Sequence, residues 1–262
     1  MRRSWVERGT GSTTGNGHTH GQAHARELWV CQLGTVDYRA GLALQERIRA
    51  ARQRDMLPDV LLMLEHPPVY TRGRRSGPGE LPLGEDWYNR QGIEIVDTDR
   101  GGKITYHGPG QLIGYPIVRV SDVLAYVRTL ERALVAALAD DGLQSRARPQ
   151  DGPDYTGVWV GGCKIASIGV HLARDVTTHG FALNVENDLQ PFSWIIPCGL
   201  EGVRMTSVVE QTGRPFGQMR CTRRRVAWRV AQALGARQRL VTLTRLESLS
   251  SYADAILSQR SS

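Results

Sequence analysis

G-V-W-V-G-G-C-K-I-A-S-I-G-V-H-L-A-R-D-V-T-T-H-G-F-A-L-N-V, Gly157–Val185, reads as three strands in close succession. Gly157–Val160, Lys164–Ala173 and Thr178–Val185 are rich in β-branched and aromatic residues, and the breaks between them carry Gly-Gly and Arg-Asp. Strands this close in sequence pair as hairpins. Upstream, the pattern predicts strands at Leu28–Leu33, Val60–Glu65, Ile93–Asp97 and Leu112–Val118. It predicts helices over Thr35–Arg54, with Leu42, Leu44 and Ile48 at helical spacing, over Trp87–Gly92 and over Asp122–Gly142. Ser121 is placed to cap the last of these and Gly142 to end it. Val69–Leu83 and Gln144–Thr156 read as loops. Downstream, helices Phe216–Leu234 and Arg245–Leu257 flank a strand Arg239–Leu243. Runs of strands with interspersed helices imply an α+β fold, a mixed sheet flanked by helices, not a doubly wound sheet. Residues 1–26 are poor in apolar side chains and read as a disordered tail, with 27–262 forming a single domain. His18, His20 and His24 in that tail suit adventitious metal binding, and the reading preferred over it is a flexible tail without function.

Composition narrows the function. No apolar run reaches the roughly 18 residues of a membrane span. The N-terminus lacks the apolar core of a secretory signal. Cys31, Cys163, Cys198 and Cys221 are widely spaced, with no C-x-x-C, which argues against zinc and against a disulfide framework. The expectation is a cytoplasmic protein with reduced thiols and no membrane partner. The net charge of +7 is uneven: residues 214–262 carry ten arginines against Glu247 and Asp254. Such a segment suits an acidic partner or a solvated helix face equally.

Lysine is almost absent. Of 33 basic residues only Lys103 and Lys164 are lysines, and both lie in Gly-rich stretches. Lysine can lose its proton when desolvated and act as a base, whereas arginine stays charged. Arg100–Gln111, R-G-G-K-I-T-Y-H-G-P-G-Q, offers close backbone approach to a ligand. It is neither a phosphate loop nor a dinucleotide fingerprint. Strand alternation places Lys164, Ala166 and Ile168 on one face and Cys163, Ile165 and Ser167 on the other. Cys163 therefore faces away from Lys164. Cys198, between Pro197 and Gly199 and preceded by Ile195 and Ile196, sits on a partly buried turn. A thiol there is inert unless a cation stabilises its thiolate, which a nearby lysine would do.

Five segments in order resemble the lipoyl(octanoyl) transferases: E-H-P-P-V-Y-T-R-G-R (Glu65–Arg74), Arg100–Ile117, K-I-A-S-I-G-V (Lys164–Val170), H-G-F-A-L-N-V (His179–Val185) and I-P-C-G-L (Ile196–Leu200). The resemblance spans about residues 28–235. It implies the α+β catalytic domain shared with biotin and lipoate protein ligases. It implies an acyltransferase that takes octanoyl from acyl carrier protein onto a cysteine, as a thioester, and passes it to a lipoyl-domain lysine. The acceptors would be the 2-oxoacid dehydrogenase complexes and the glycine cleavage H protein. The resemblance assigns catalysis to Cys198 and Lys164. It assigns substrate binding to Arg100, Gly101, Gly102, Lys103, Ile104, Thr105, Tyr106 and His107, to Ser167, Ile168 and Gly169, and to Gly180, Phe181 and Ala182.

Thioester exchange is nearly neutral in free energy, so no cofactor and no metal are expected. Ile168, Phe181 and Leu183 are apolar candidates for the acyl pocket, and backbone N–H groups near Gly169 or Gly199 for an oxyanion site. Two other readings compete. An ATP-dependent lipoate ligase of the same fold needs no nucleophilic cysteine, so Cys198 argues against it. A basic nucleic-acid-binding module would need aromatic–basic interleaving, which the chain lacks. The arginines at 220, 223, 224, 225 and 229, with Arg72, Arg74 and Arg75, are expected to steer an acidic carrier.

Overall fold

The computed structural model describes residues 26–200, 202–214 and 217–249. Gly157–Val185 supplies three of the eight strands of a mixed sheet. In it β1 (Glu27–Thr35) lies between β2 (Asp59–Glu65) and β11 (Arg237–Val241), parallel to both. From β2 the sheet continues antiparallel through β6 (Gln111–Ile117), β10 (Val176–Asn184), β9 (Cys163–Ala173) and β8 (Gly157–Val160) to the two-residue β7 (Arg146–Ala147). A second sheet places β3 (Val69–Arg72) between β4 (Glu94–Asp97) and β5 (Thr105–His107). The α+β expectation holds, and the loop expected over Val69–Leu83 begins instead as β3. Four residues between His-Pro-Pro and Gly-Arg-Arg are too few to show a strand period.

Five α-helices bounded within the described residues flank the sheets: α1 (Tyr38–Gln53), α2 (Glu85–Arg90), α3 (Val123–Ala139), α4 (Val208–Thr212) and α5 (Met219–Ala233). α1 starts later than expected because Thr35 stays on β1 and Asp37 caps the helix, accepting from Ala40 N at 3.0 Å. The cap of α3 is Asp122 rather than Ser121; its carboxylate accepts from Leu124 N and Ala125 N. Residues 243–249 are helical, and the rest of the expected helix to Leu257 lies outside the described residues, as does the tail through residue 25.

The main sheet has two buried faces. Leu28, Val30, Leu61, Met63, Leu112 and Leu183 pack against α3 and α5. Val60, Leu62, Leu64, Ile113 and Ile117 pack against Leu44 and Ile48 of α1. Two-sided burial explains why these strands read as continuous apolar runs. The small sheet has its own core, in which Tyr70, Tyr88 and Tyr106 meet Phe192 and Ile195. That core fixes the small sheet beside the segment leading to the Pro197–Gly199 turn.

Candidate active site

The Gly-rich loop between β4 and β5 is laid onto the edge of β9 where β8 stops. β8 pairs with β9 only as far as Gly157↔Ser167. Beyond it, Gly101 N donates to Val170 O at 2.9 Å. Glycines permit this contact. A Cβ on Gly169 would fall 2.8 Å from Gly101 O, and one on Gly73 would fall 2.5 Å from Gly102 O. Arg100 anchors the loop: its guanidinium is buried and donates to Thr71 Oγ1 through Nε at 3.2 Å and Nη2 at 2.7 Å.

Lys164 is 1% exposed. Its backbone is held by residues beyond the cysteine turn: Lys164 N donates to Arg204 O, and Thr206 N to Lys164 O. The register around it differs from simple alternation. Lys164 faces Trp159 and Ala166 faces Val158, so two steps on β9 oppose one on β8. Ile165 is therefore the extra residue of a bulge, which inverts the side-chain phase. Lys164 consequently shares a face with Ser167 and Gly169, not with Ala166 and Ile168 as alternation predicts. Its stem crosses Gly157, where a Cβ would lie 2.9 Å from Lys164 Cε, and its ammonium stands 5.4 Å from the centre of the Trp159 ring. Cys163, as the immediate neighbour, still faces away, and is half-buried.

Cys198 lies on a short 3-10 turn, Pro197–Gly199, tied down by Ile196 N donating to Glu80 O at 3.1 Å. The Cys198 side chain lies outside the described residues. Gly199 N donates to Ile196 O at 3.0 Å, so this N–H is spent on the turn and is not available to an oxyanion. Gly199 has φ +64, and a Cβ there would fall 2.3 Å from Lys103 Nζ. The second lysine thus brings its ammonium against the residue following Cys198. Lys103 and Arg75 share the carboxylate of Asp154, at 3.6 and 2.8 Å.

These elements enclose a cavity of about 430 Å³, within the usual range of small-molecule sites. Every substrate-binding residue expected from the sequence lines it except Tyr106, whose ring packs against Tyr70 and Phe192 in the core of the small sheet. Lys164 lines it as well. Of the apolar candidates, Ile168 and Phe181 line the cavity, whereas Leu183 is buried under α3 and α5. Sequence reasoning missed Tyr38, Tyr115 and His179 at one end, and Val123, Leu124, Val127 and Arg128 on α3. The α3 residues carry no motif; only tertiary packing brings them to the wall.

The far end of the cavity is polar but uncharged in its histidines. His107 Nδ1 stands 2.8 Å from Gln111 Oε1, and the Gln111 amide nitrogen donates to Tyr106 O and Asn184 Oδ1. Nδ1 must therefore carry the proton, leaving Nε2 to accept from Thr71 Oγ1 at 3.3 Å. His66 Nδ1–H donates to Val36 O, so Nε2 accepts from the Tyr115 hydroxyl at 2.7 Å. Burial pushes His107 well below the ordinary histidine range, with repulsion from His66 adding to it, and brings His66 to about 4. His179, at φ +56, donates Nε2–H to Asp99 Oδ1 at 2.7 Å. Burial lowers its pKa, and its hydrogen bond holds Asp99 down at about 2.

A family model described as the lipoyl protein ligase A/B catalytic domain matches residues 37–227. An octanoyltransferase of Solibacter usitatus is 51% identical over 179 residues, 67% of this chain and 80% of the relative. One of Mycobacterium avium is 48% identical over 195 residues, 71% of this chain and 78% of the relative. The chain belongs to the lipoyl(octanoyl) transferase family. Among solved structures, lipoate-protein ligase A bound with ATP superposes with a TM-score of 0.68 at 19% identity, over 86% of this chain and 93% of the ligase. A bi-partite lipoate protein ligase of Thermoplasma acidophilum gives 0.64 at 18%, over 86% and 90%. These two likenesses show the fold. They place the transferase family chain among mixed-sheet catalytic domains of the lipoate ligase kind.

The arginines expected to steer a carrier are mostly occupied. Arg223 bonds Glu65 Oε1 at 3.0 Å and Leu33 O at 3.2 Å. Arg225 pairs with the buried Asp141, Arg229 with Asp140, and Arg72 with Asp97 and Glu85. On α5 these side chains clamp helix to helix and helix to sheet. The steering role expected of them is withdrawn for Arg72, Arg223, Arg225 and Arg229.

Proposed function

We propose that this octanoyltransferase takes octanoyl from octanoyl-acyl carrier protein onto Cys198 as a thioester and delivers it to a lipoyl-domain lysine. In the first half, the Cys198 thiolate attacks the donor carbonyl. The tetrahedral adduct collapses, and the carrier thiolate leaves and takes up the proton that Lys164 received from Cys198. In the second half, the acceptor amine attacks the acyl-cysteine. An amide forms, the Cys198 thiolate leaves, and Lys164 takes the proton that the amine gives up.

The observation that carries this reading is the placement of Lys164. A lysine kept out of water by a bulge and seated over a glycine lines the cavity, and its backbone is bonded to the segment that follows the Pro197–Gly199 turn. Ile168 and Phe181 offer apolar surface to the chain, each buried methylene contributing about 0.8 kcal/mol. Acceptors of this chemistry are the lipoyl domains of 2-oxoacid dehydrogenase complexes and the glycine cleavage H protein, and the compartment is the cytoplasm. No helix among the described residues is long and apolar enough to cross a membrane.

The test is intact mass after mixing with octanoyl-acyl carrier protein, without ATP. A gain of about 126 Da, octanoyl for hydrogen, is expected on the Cys198 peptide. It is discharged when apo-lipoyl domain is added. Cys198→Ala abolishes both. Transfer that requires ATP and leaves the protein mass unchanged would assign the chain to ligase chemistry instead.

A further inference from the structure

The mouth of the cavity lies between the Gly-rich loop, the 153–156 turn and the first half of α3, and its charge is one-sided. On α3, Leu124, Arg128 and Arg132 repeat every four residues and so share a face. Four large apolar side chains are conspicuously exposed among the described residues, and only Leu124, 70% exposed, borders the cavity. Arg128 leans on Glu131 Oε2 at 2.6 Å, while the other oxygen of that buried carboxylate accepts from Gly157 N. Arg132 is exposed and bonds only the Thr129 hydroxyl among the described residues. Across the mouth, Arg75 and Lys103 divide one carboxylate, and the exposed Arg74 has no ion pair among the described residues. Around the opening Arg74, Arg75, Lys103, Arg128 and Arg132 thus outnumber Asp122, Glu131 and Asp154, and Asp122 is engaged in capping α3. On α5, by contrast, the arginines at 223, 225 and 229 have spent their charge on Glu65, Asp141 and Asp140.

We propose that the acyl carrier protein docks over this mouth, on the face of α3 carrying Leu124, Arg128 and Arg132 and on Arg74 and Arg75 opposite. The proposal rests on the reading that the donor is carrier-bound. An acidic carrier delivering a chain through a phosphodiester-linked arm must sit where the chain enters. The wall of that entrance is the same helix that presents the exposed leucine and the cations. Long-range attraction then raises the encounter rate, and Leu124 supplies an apolar contact that salt does not screen.

Arg132→Glu and Arg74→Glu test the idea, since neither side chain lines the cavity. Steady-state kinetics are compared for three substrates at low ionic strength and at about 0.15 M salt, where charges are screened beyond roughly 8 Å. These are octanoyl-acyl carrier protein, octanoyl-pantetheine, and apo-lipoyl domain as the varied acceptor. Each substitution is expected to raise KM for the carrier substrate about tenfold at low salt and less at high salt. Turnover of octanoyl-pantetheine and KM for the lipoyl domain stay unchanged, and Leu124→Ala raises the carrier KM at both salt levels. Arg224→Glu, an exposed change on α5, leaves it alone. An unchanged carrier KM in both reversals, a shift confined to the lipoyl domain, or an equal shift in Arg224→Glu overturns the docking surface. Octanoyl-pantetheine reports the acyl transfer without any carrier, so failure of the chemistry is read separately from failure of docking.

Discussion

The two ends of the cavity are built on opposite electrostatic rules. From Lys164 to Val170, the residue facing His179, β9 runs roughly 20 Å at about 3.3 Å per residue. At one end lie both lysines: Lys164 is buried beside the bulge and bonded through its backbone to Arg204 and Thr206, and Lys103 is pressed onto Gly199. At the other end, His66 and His107 hold one proton each through fixed donors and acceptors, and Tyr38 stacks on His107 at 6.0 Å. The first end gathers lysines where the proposed mechanism has an acyl group change hands. The second keeps titratable rings neutral under a cavity floor. The contrast is between lysine ammonium groups at one end and histidine rings at the other whose nitrogens are closed by fixed hydrogen bonds.

The hardest test of this contrast sets the two lysines against each other. Lys164→Arg is expected to lower single-turnover transfer by at least about 100-fold, close to Lys164→Ala, because arginine retains the charge and cannot take a proton. Lys103→Arg, which keeps a cation near Asp154, is expected to cost far less, with its effect mainly in KM. Near-normal transfer by Lys164→Arg would reduce the residue to a cation and erase the distinction between the lysines.

Gly157 supports the same end through the backbone. Its φ is +134, and a Cβ would sit 2.2 Å from Ala166 O as well as against Lys164 Cε. Gly157→Ala should therefore destabilise the fold by about 1–3 kcal/mol and, in the folded fraction, reduce transfer by displacing Lys164. Urea unfolding and single-turnover rates on the same preparation separate the two losses. A folded variant with unaltered transfer would mean that Lys164 is positioned by something other than this crossing.

How much of this was legible in the chain differs by element. The hairpins from Gly157 to Val185 and α3 are readable, because strand-rich composition and helical spacing leave marks on single segments. The bulge at Ile165 was not: one extra residue in β9 has no compositional sign, yet it turns Lys164 toward Ser167. The resemblance assigns Tyr106 to substrate binding along with its neighbours, while strand geometry in β5 sends its ring into the aromatic core of the small sheet. The α5 arginines looked free because their partners, Glu65, Asp140 and Asp141, are distant in sequence. The pattern also offers the Gly199 N–H to an oxyanion, but that N–H donates to Ile196 O within the 3-10 turn.

The neutral end makes its own prediction in pH. The folded state holds His66 near 4, and an unfolded histidine titrates near 6.5, so the unfolded chain binds the extra proton between those values. This contribution is intact above about pH 6.5 and is lost as pH falls toward 4, by roughly 3 kcal/mol. Asp99, held near 2, adds a further loss below the ordinary aspartate value of about 3.8. Denaturant melts at half-unit steps should show stability falling from pH 6.5 to 4.5, more steeply in the wild type than in His66→Gln. Parallel curves for the two proteins would remove His66 from the account.

The smallest expected effect concerns the residue beside the largest. Cys163 precedes Lys164, is half-buried, and pairs with Val160 across the β8–β9 turn. Adjacent residues of a strand face opposite ways, and the bulge begins only after Lys164, so Cys163 stays on the face away from the cavity. Cys163→Ala removes one sulfur from a site that is already partly wet. Transfer is expected within about twofold of wild type, and stability within about 0.5 kcal/mol, the usual range for changes away from packed or paired groups. A loss on the scale of Lys164→Arg would instead require the strand to be turned so that Cys163 enters the cavity, and the assignment of the two ends would have to be redrawn from that register.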